Sequence, residues 1–64
     1  MTKYYLSFDG DINEDEAYDT IEDADRAKKK LIREQCQEDA LYGQYSKRRE
    51  ARYWAITGIV PREE

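Results

Sequence analysis

The sequence predicts a small α+β domain, ββαβ in order, with a three-stranded sheet and one long helix packed on one of its faces. Three observations predict it. Residues Lys3 to Phe8 alternate, with Tyr4, Leu6 and Phe8 on one side and Lys3, Tyr5 and Ser7 on the other, which is the period of a half-buried strand. Asp9-Gly10 follows at once and suits a type I′ hairpin, in which both central positions need positive φ. Through the middle of the chain, apolar residues recur at helical spacing.

The elements follow from these signals. The first strand spans residues 3–8 and the hairpin turn residues 9–10. A weak return strand over 12–18 is implied by the turn; Ile12 and Tyr18 share a face, with Glu14 and Glu16 between them, as in a charged edge strand. Thr20-Ile21-Glu22-Asp23 has the form of a capping box and opens a helix over 21–42. On that helix Ile21, Ala24, Ala27, Leu31, Ile32, Gln35 and Tyr42 fall on one side, and Gly43 stands where a left-handed cap belongs. Gln44 to Glu50 reads as a polar connection. Residues 52–60 read as a closing strand, with Trp54, Ile56 and Val60 on one face and Tyr53, Ala55, Thr57 and Ile59 on the other, ended by Pro61. Apolar on both faces, that strand is the candidate for the centre of the sheet. Tyr4, Phe8, Trp54 and Tyr18 are expected in the core. Tyr5 and Tyr53 are expected on the sheet face away from the helix, where a homodimer would form.

Bulk composition bounds what such a chain does. Its 64 residues make a single domain, 1–64, of a size that buries only about 60% of its unfolded surface. Charged residues are 41% of the chain and the mean hydropathy is -1.13, yet six Tyr, one Trp and one Phe argue for a packed core. The single cysteine, Cys36, permits no internal disulfide and suits a reducing compartment. No stretch approaches the roughly 18 apolar residues of a membrane span. A cytoplasmic location is therefore expected.

Charge is strongly segregated. Residues 1–8 carry +1, residues 9–25 carry -9 with no basic residue, residues 26–52 carry +5 and residues 53–64 carry -1. The acidic block comprises Asp9, Asp11, Glu14, Asp15, Glu16, Asp19, Glu22, Asp23 and Asp25. Carboxylates so crowded repel one another, and the field they create suits a basic partner surface such as a nucleic-acid-binding groove. The same charges also keep a small domain soluble and blunt its edge strand. Two basic groups oppose them: Arg26, Lys29, Lys30 and Arg33 on the helix, and Lys47-Arg48-Arg49 with Arg52 beyond it. Glu22, Asp25, Glu34 and Glu38 stand at spacings that would pair with the helix cations. A pI near 4.8 disfavours nucleic acid as a direct ligand.

Chemical motifs are sparse. Asp9, Asp11, Asn13 and Asp15 have the alternate spacing of a calcium loop, but Glu14 replaces the glycine of its sharp turn and Thr20 the closing bidentate Glu. There is no His, the commonest general base. Cys36 has no partner for a thiolate mechanism, Ser7 and Ser46 sit in no nucleophile motif, and Gly10, Gly43 and Gly58 are too dispersed for a phosphate loop. No catalytic residue, metal or cofactor is expected.

Tyr4-Tyr5-Leu6-Ser7-Phe8, the turn and acidic return strand, the Thr20-capped Ile21-Glu22-Asp23-Ala24 helix and the closing Tyr53-Trp54-Ala55-Ile56-Thr57 strand together resemble the layout of small phage-encoded inhibitors, among them some anti-CRISPR proteins and a phage inhibitor of bacterial RNA polymerase. The resemblance spans nearly the whole chain and implies stoichiometric binding to a host nucleic-acid machine. The expectation is thus a non-enzymatic inhibitor or adaptor, in the host cytoplasm if phage-encoded, that docks the acidic block together with Tyr5 and Tyr53 on a host protein complex. A nucleic-acid-binding module using the basic helix face and Lys47 to Arg49, or an oligomeric structural accessory, are the alternatives.

Overall fold

The computed structural model describes all 64 residues. Their order is β1 (Thr2–Phe8), β2 (Asp11–Ile12), α1 (Ile21–Leu41), α2 (Lys47–Ile56) and β3 (Thr57–Glu63). The α+β class, the three-stranded sheet and the long helix are as the sequence predicts. A second helix stands where the first part of the closing strand was expected.

The hairpin forms as its turn residues demand. Asp9 has φ 52° and Gly10 φ 90°, the two positive values of a type I′ turn, and Phe8 pairs with Asp11 across it. The return strand is cut to two residues, not the expected 12–18. Asn13 donates its N–H to the Leu6 carbonyl and then turns the chain away, its side-chain oxygen accepting from the Asp15 N–H. The chain rejoins the sheet at one bridge, Tyr18 opposite Tyr4. Continuing the Ser7–Ile12 register would have put Asp15 there, so three extra residues bulge out of the edge.

Thr20 caps α1, accepting from the Asp23 N–H at 3.1 Å, and Gly43 at φ 68° ends it, both as predicted. Ser46 caps α2 in the same manner, accepting from Arg49 N–H at 3.1 Å. Lys47 to Arg52 are almost all strong helix formers, and the helix stops where β-branched Thr57 and Gly58 begin.

β1 is the central strand, not β3, in the order β2-β1-β3, and both pairings are antiparallel. All seven residues of β3 pair with β1, from Phe8–Thr57 to Thr2–Glu63. Pro61 lies inside β3 instead of ending it. Tyr4 exchanges both of its backbone hydrogen bonds with Tyr18, so its pair with Pro61 is a non-hydrogen-bonded one and the proline nitrogen points off the open edge. Gly58 faces Ser7, whose hydroxyl oxygen would lie 2.9 Å from any added β-carbon.

The core is small: Tyr5, Leu6, Ala24 and Ile32 are its buried apolar members. Leu6, Phe8 and Tyr18 face Ala27 and Leu31 across a shallow cleft, which places the first half of α1 over the even-numbered face of β1. The second half of α1 meets α2 instead. There Asp39, only 6% exposed, accepts from the Tyr53 hydroxyl and from Gln35 Nε2 at 3.3 Å, with Arg49 Nε 3.9 Å away, and its carbonyl accepts from the Gln44 N–H at 2.7 Å. Trp54 is 39% exposed and is not a core residue, because α2 presents it along the outside of α1, with the Lys28 ammonium 5.4 Å from its ring. No helix is long and apolar enough to cross a membrane.

Two outcomes follow for stability. Leu6→Ala removes the best-buried aliphatic group of β1 and is expected to cost about 3 kcal/mol, read by denaturant unfolding. Hydrogen bonding to Asp39, and then burial, hold the Tyr53 phenol above its ordinary value of 10.0. A proton held more tightly in the fold stabilises it fully below the unfolded-chain value, and that stabilisation is lost as pH rises through the folded value. The thermal midpoint is therefore expected to decline above about pH 10. Tyr53→Phe should start lower at neutral pH and decline less steeply.

Candidate functional site

The acidic block becomes a strip along the β2 edge of the sheet. Asp9 and Asp11 sit at the hairpin turn, whose Asp9 N–H is held by the Ile56 carbonyl at 2.8 Å. Asp15 and Glu16 stand on the bulge. Asp19, Glu22, Asp23 and Asp25 lie beyond Tyr18, at the start of α1. Since Tyr18 is opposite Tyr4 and Asp11 opposite Phe8, the strip runs at least the length of four β1 residues, about 13 Å.

Ion pairing divides the nine carboxylates into two sets. Glu14 binds Arg62 at 2.7 Å, Asp19 binds Lys3, Asp23 lies 3.6 Å from Arg26, and Asp25 lies 2.8 Å from Lys29. Asp9, Asp11, Asp15, Glu16 and Glu22 have no cation within 4 Å, and Glu16 accepts only from the Tyr18 hydroxyl. Glu14 and Asp19 tie this segment to β3 and β1, while Asp23 and Asp25 pair within α1. The unpaired set faces solvent with its charge uncompensated. No three carboxylate or thiol groups converge as metal ligands do, and the Asn13 oxygen of the calcium-like spacing is taken by its own backbone.

The two expected interface tyrosines are placed differently by the structure. Tyr5 does lie on the sheet face away from α1, yet it is only 6% exposed. The Arg62 guanidinium covers its ring at 5.3 Å and its hydroxyl donates to Glu64, which, ahead of burial, raises its pKa above that of an ordinary phenol. Arg62 is itself held by Glu14, so the acidic bulge and the Tyr5 cover form one unit. Tyr53 lies on α2, not on a sheet, and is consumed by Asp39. Tyr5 and Tyr53 therefore do not share the open sheet face that the alternation of the sequence predicts.

The basic residues are less neutralised than their spacing suggested. Arg26 and Lys29 have partners, but Glu22, Glu34 and Glu38 bind none of the helix cations. Lys30, Arg33, Lys47, Arg48 and Arg52 have no carboxylate within 4 Å. Burial, followed by the Glu50 and Asp39 carboxylates, raises the Cys36 thiol above its ordinary value. A sequence reading misses Asp39 because nothing local distinguishes it from its exposed neighbour Glu38. The available signal was Ser46, an N-cap ahead of a run of helix formers, which announces the α2 that buries Asp39.

Charge removal should separate the two carboxylate sets. Asp15→Asn is expected to leave the thermal midpoint unchanged or raise it, since it relieves repulsion alone, whereas Asp19→Asn should lower it and the loss should shrink in high salt. Comparison with known proteins finds no matching family model, curated protein or solved structure, so the geometry of the chain itself carries the functional argument.

Proposed function

We propose that this chain is a non-enzymatic protein-binding domain of the inhibitor or adaptor type, which docks its acidic strip on a basic, nucleic-acid-binding surface of another protein. The observation that carries the reading is the set of five unpaired carboxylates, Asp9, Asp11, Asp15, Glu16 and Glu22, spread along one edge of a domain that has free cations elsewhere. Like charges at that density cost folding free energy, and a cationic groove on a partner relieves the cost at binding. A strip of carboxylates presents acceptor oxygens to Arg and Lys much as successive phosphates do.

Reversing only unpaired positions tests this without touching the ion pairs of the fold. Asp11→Lys, Asp15→Lys and Glu16→Lys together should abolish capture of nucleic-acid-binding proteins from a bacterial lysate, while the wild-type chain retains them and duplex DNA competes them off. Equal retention by the triple variant would sink the reading.

One observation favours a second reading, a nucleic-acid-binding module. Lys30, Arg33, Lys47, Arg48 and Arg52 are uncompensated, and Tyr45 and Trp54 are exposed nearby, a combination suited to phosphates and stacked bases. That reading requires a mobility shift with single-stranded DNA or RNA at low salt, lost on Lys47→Ala with Arg48→Ala. No shift at high protein concentration rules it out.

A further inference from the structure

The chain exposes more surface than a monomer of its size needs. Its accessible area is 4931 Å², roughly 600 Å² above the ~4,300 Å² of a compact 7.7 kDa chain. Its radius of gyration is 12.8 Å, against about 10.7 Å for a compact domain of this length. The excess approaches the ~800 Å² that one partner gives to an ordinary protein interface.

An open groove of about 500 Å³ runs between α1 and α2 on the side away from the sheet. Ile32, Cys36 and Ala40 form its α1 wall, and Trp54 and Tyr45, 39% and 42% exposed, rise from the other side. Its two ends differ in charge. The Lys28–Trp54 contact sets one end, where Lys29 and Arg33 stand. The Gln44–Asp39 backbone bond sets the other, where Tyr45 donates to Glu50. Arg33 has no intrachain ion pair and Glu50 no cationic partner.

We propose that this groove is the contact face of a homodimer, in which a second copy lies antiparallel across it. A two-fold axis near Cys36 reverses the groove's direction, so Arg33 of each chain meets Glu50 of the other while the Trp54 and Tyr45 rings are covered. This occupant follows from the groove's own chemistry. An isologous interface must be self-complementary, and Lys29 and Arg33 toward one end with the single unpaired carboxylate of Glu50 toward the other, on an apolar strip, meet that condition in the antiparallel sense. The same sense carries the Lys47 and Arg48 tips of the two α2 helices apart, whereas a parallel arrangement would bring them together.

Sedimentation equilibrium from low-micromolar to near-millimolar protein reads the outcome. The wild-type chain should approach twice its 7.7 kDa mass, with the emission of its single tryptophan shifting to the blue as Trp54 is covered. Arg33→Glu and Glu50→Arg should each weaken the dimer by about tenfold or more, and the double reversal should restore it. Because the reversed pair is restored only between chains, rescue separates an interface from a general loss of folding, which far-UV circular dichroism of the single variants reads independently. A monomer throughout the range, a dimer indifferent to both reversals, or a double variant without rescue would overturn the proposal.

Discussion

The buried carboxylate of Asp39 is the interaction on which the second half of the molecule depends. A helix of 21 residues is about 31 Å long, and only its first half has a sheet beneath it. The remainder would be a bare helix in water, and bare helices of that length are marginal. α2 supplies the cover, and Asp39 joins it to α1 through Tyr53, with Arg49 nearby and the Gln44 backbone closing the turn. A buried charge is costly unless its oxygens find donors. Here the donors come from both helices, Gln35 on α1 and Tyr53 on α2, so the carboxylate joins the two.

That arrangement explains the shape of the chain and where its exposed aromatics lie. Beside the polar cluster, Leu31 and Ile32 of α1 stand near Ile56 of α2, and an open groove remains between the two helices. Trp54 and Tyr45 edge that groove instead of filling a core. The apolar interior that remains is confined to the junction of β1 and α1, around Leu6, Ala24 and Ile32.

Electrostatics follows a parallel logic at the opposite edge of the sheet. The bulge after Asn13 carries its carboxylates clear of the strands, and Arg62 and Lys3 then tie it back through Glu14 and Asp19. Arg62 thereby serves two neighbours, the Glu14 carboxylate and the Tyr5 ring. The charges left over, at the hairpin turn, on the bulge and in the first turn of α1, are those that no pairing cation reaches. Spacing along one helix overestimated the pairing of the cations, because a side chain at the right distance for a partner is under no obligation to close on it in water.

Several features were legible in the residues alone because short-range stereochemistry decides them. Asp9-Gly10 specifies its turn through the positive φ both positions adopt, Thr20 its helix start through a side-chain oxygen, and the alternation of Lys3 to Phe8 a strand with two unlike faces. Among the misplaced features, α2 had a local signal in the Ser46 cap, and the others are decided by long-range contacts. Tyr53-Trp54-Ala55-Ile56 satisfies strand alternation and helix formation alike; in the fold it continues the helix capped at Ser46, and Tyr53 there donates to Asp39, fourteen residues away. Pro61 looked like an end until Tyr18 occupied the backbone of Tyr4 and left the proline facing an edge. Tyr5 alternated as an exposed residue until Arg62, brought beside it by the β1–β3 register, covered its ring. Composition and local pattern thus determined the class, the hairpin, the long helix and the location of the charge. The tertiary structure decided which strand is central, which carboxylates remain free and which aromatics face solvent, since each depends on a partner distant in the chain.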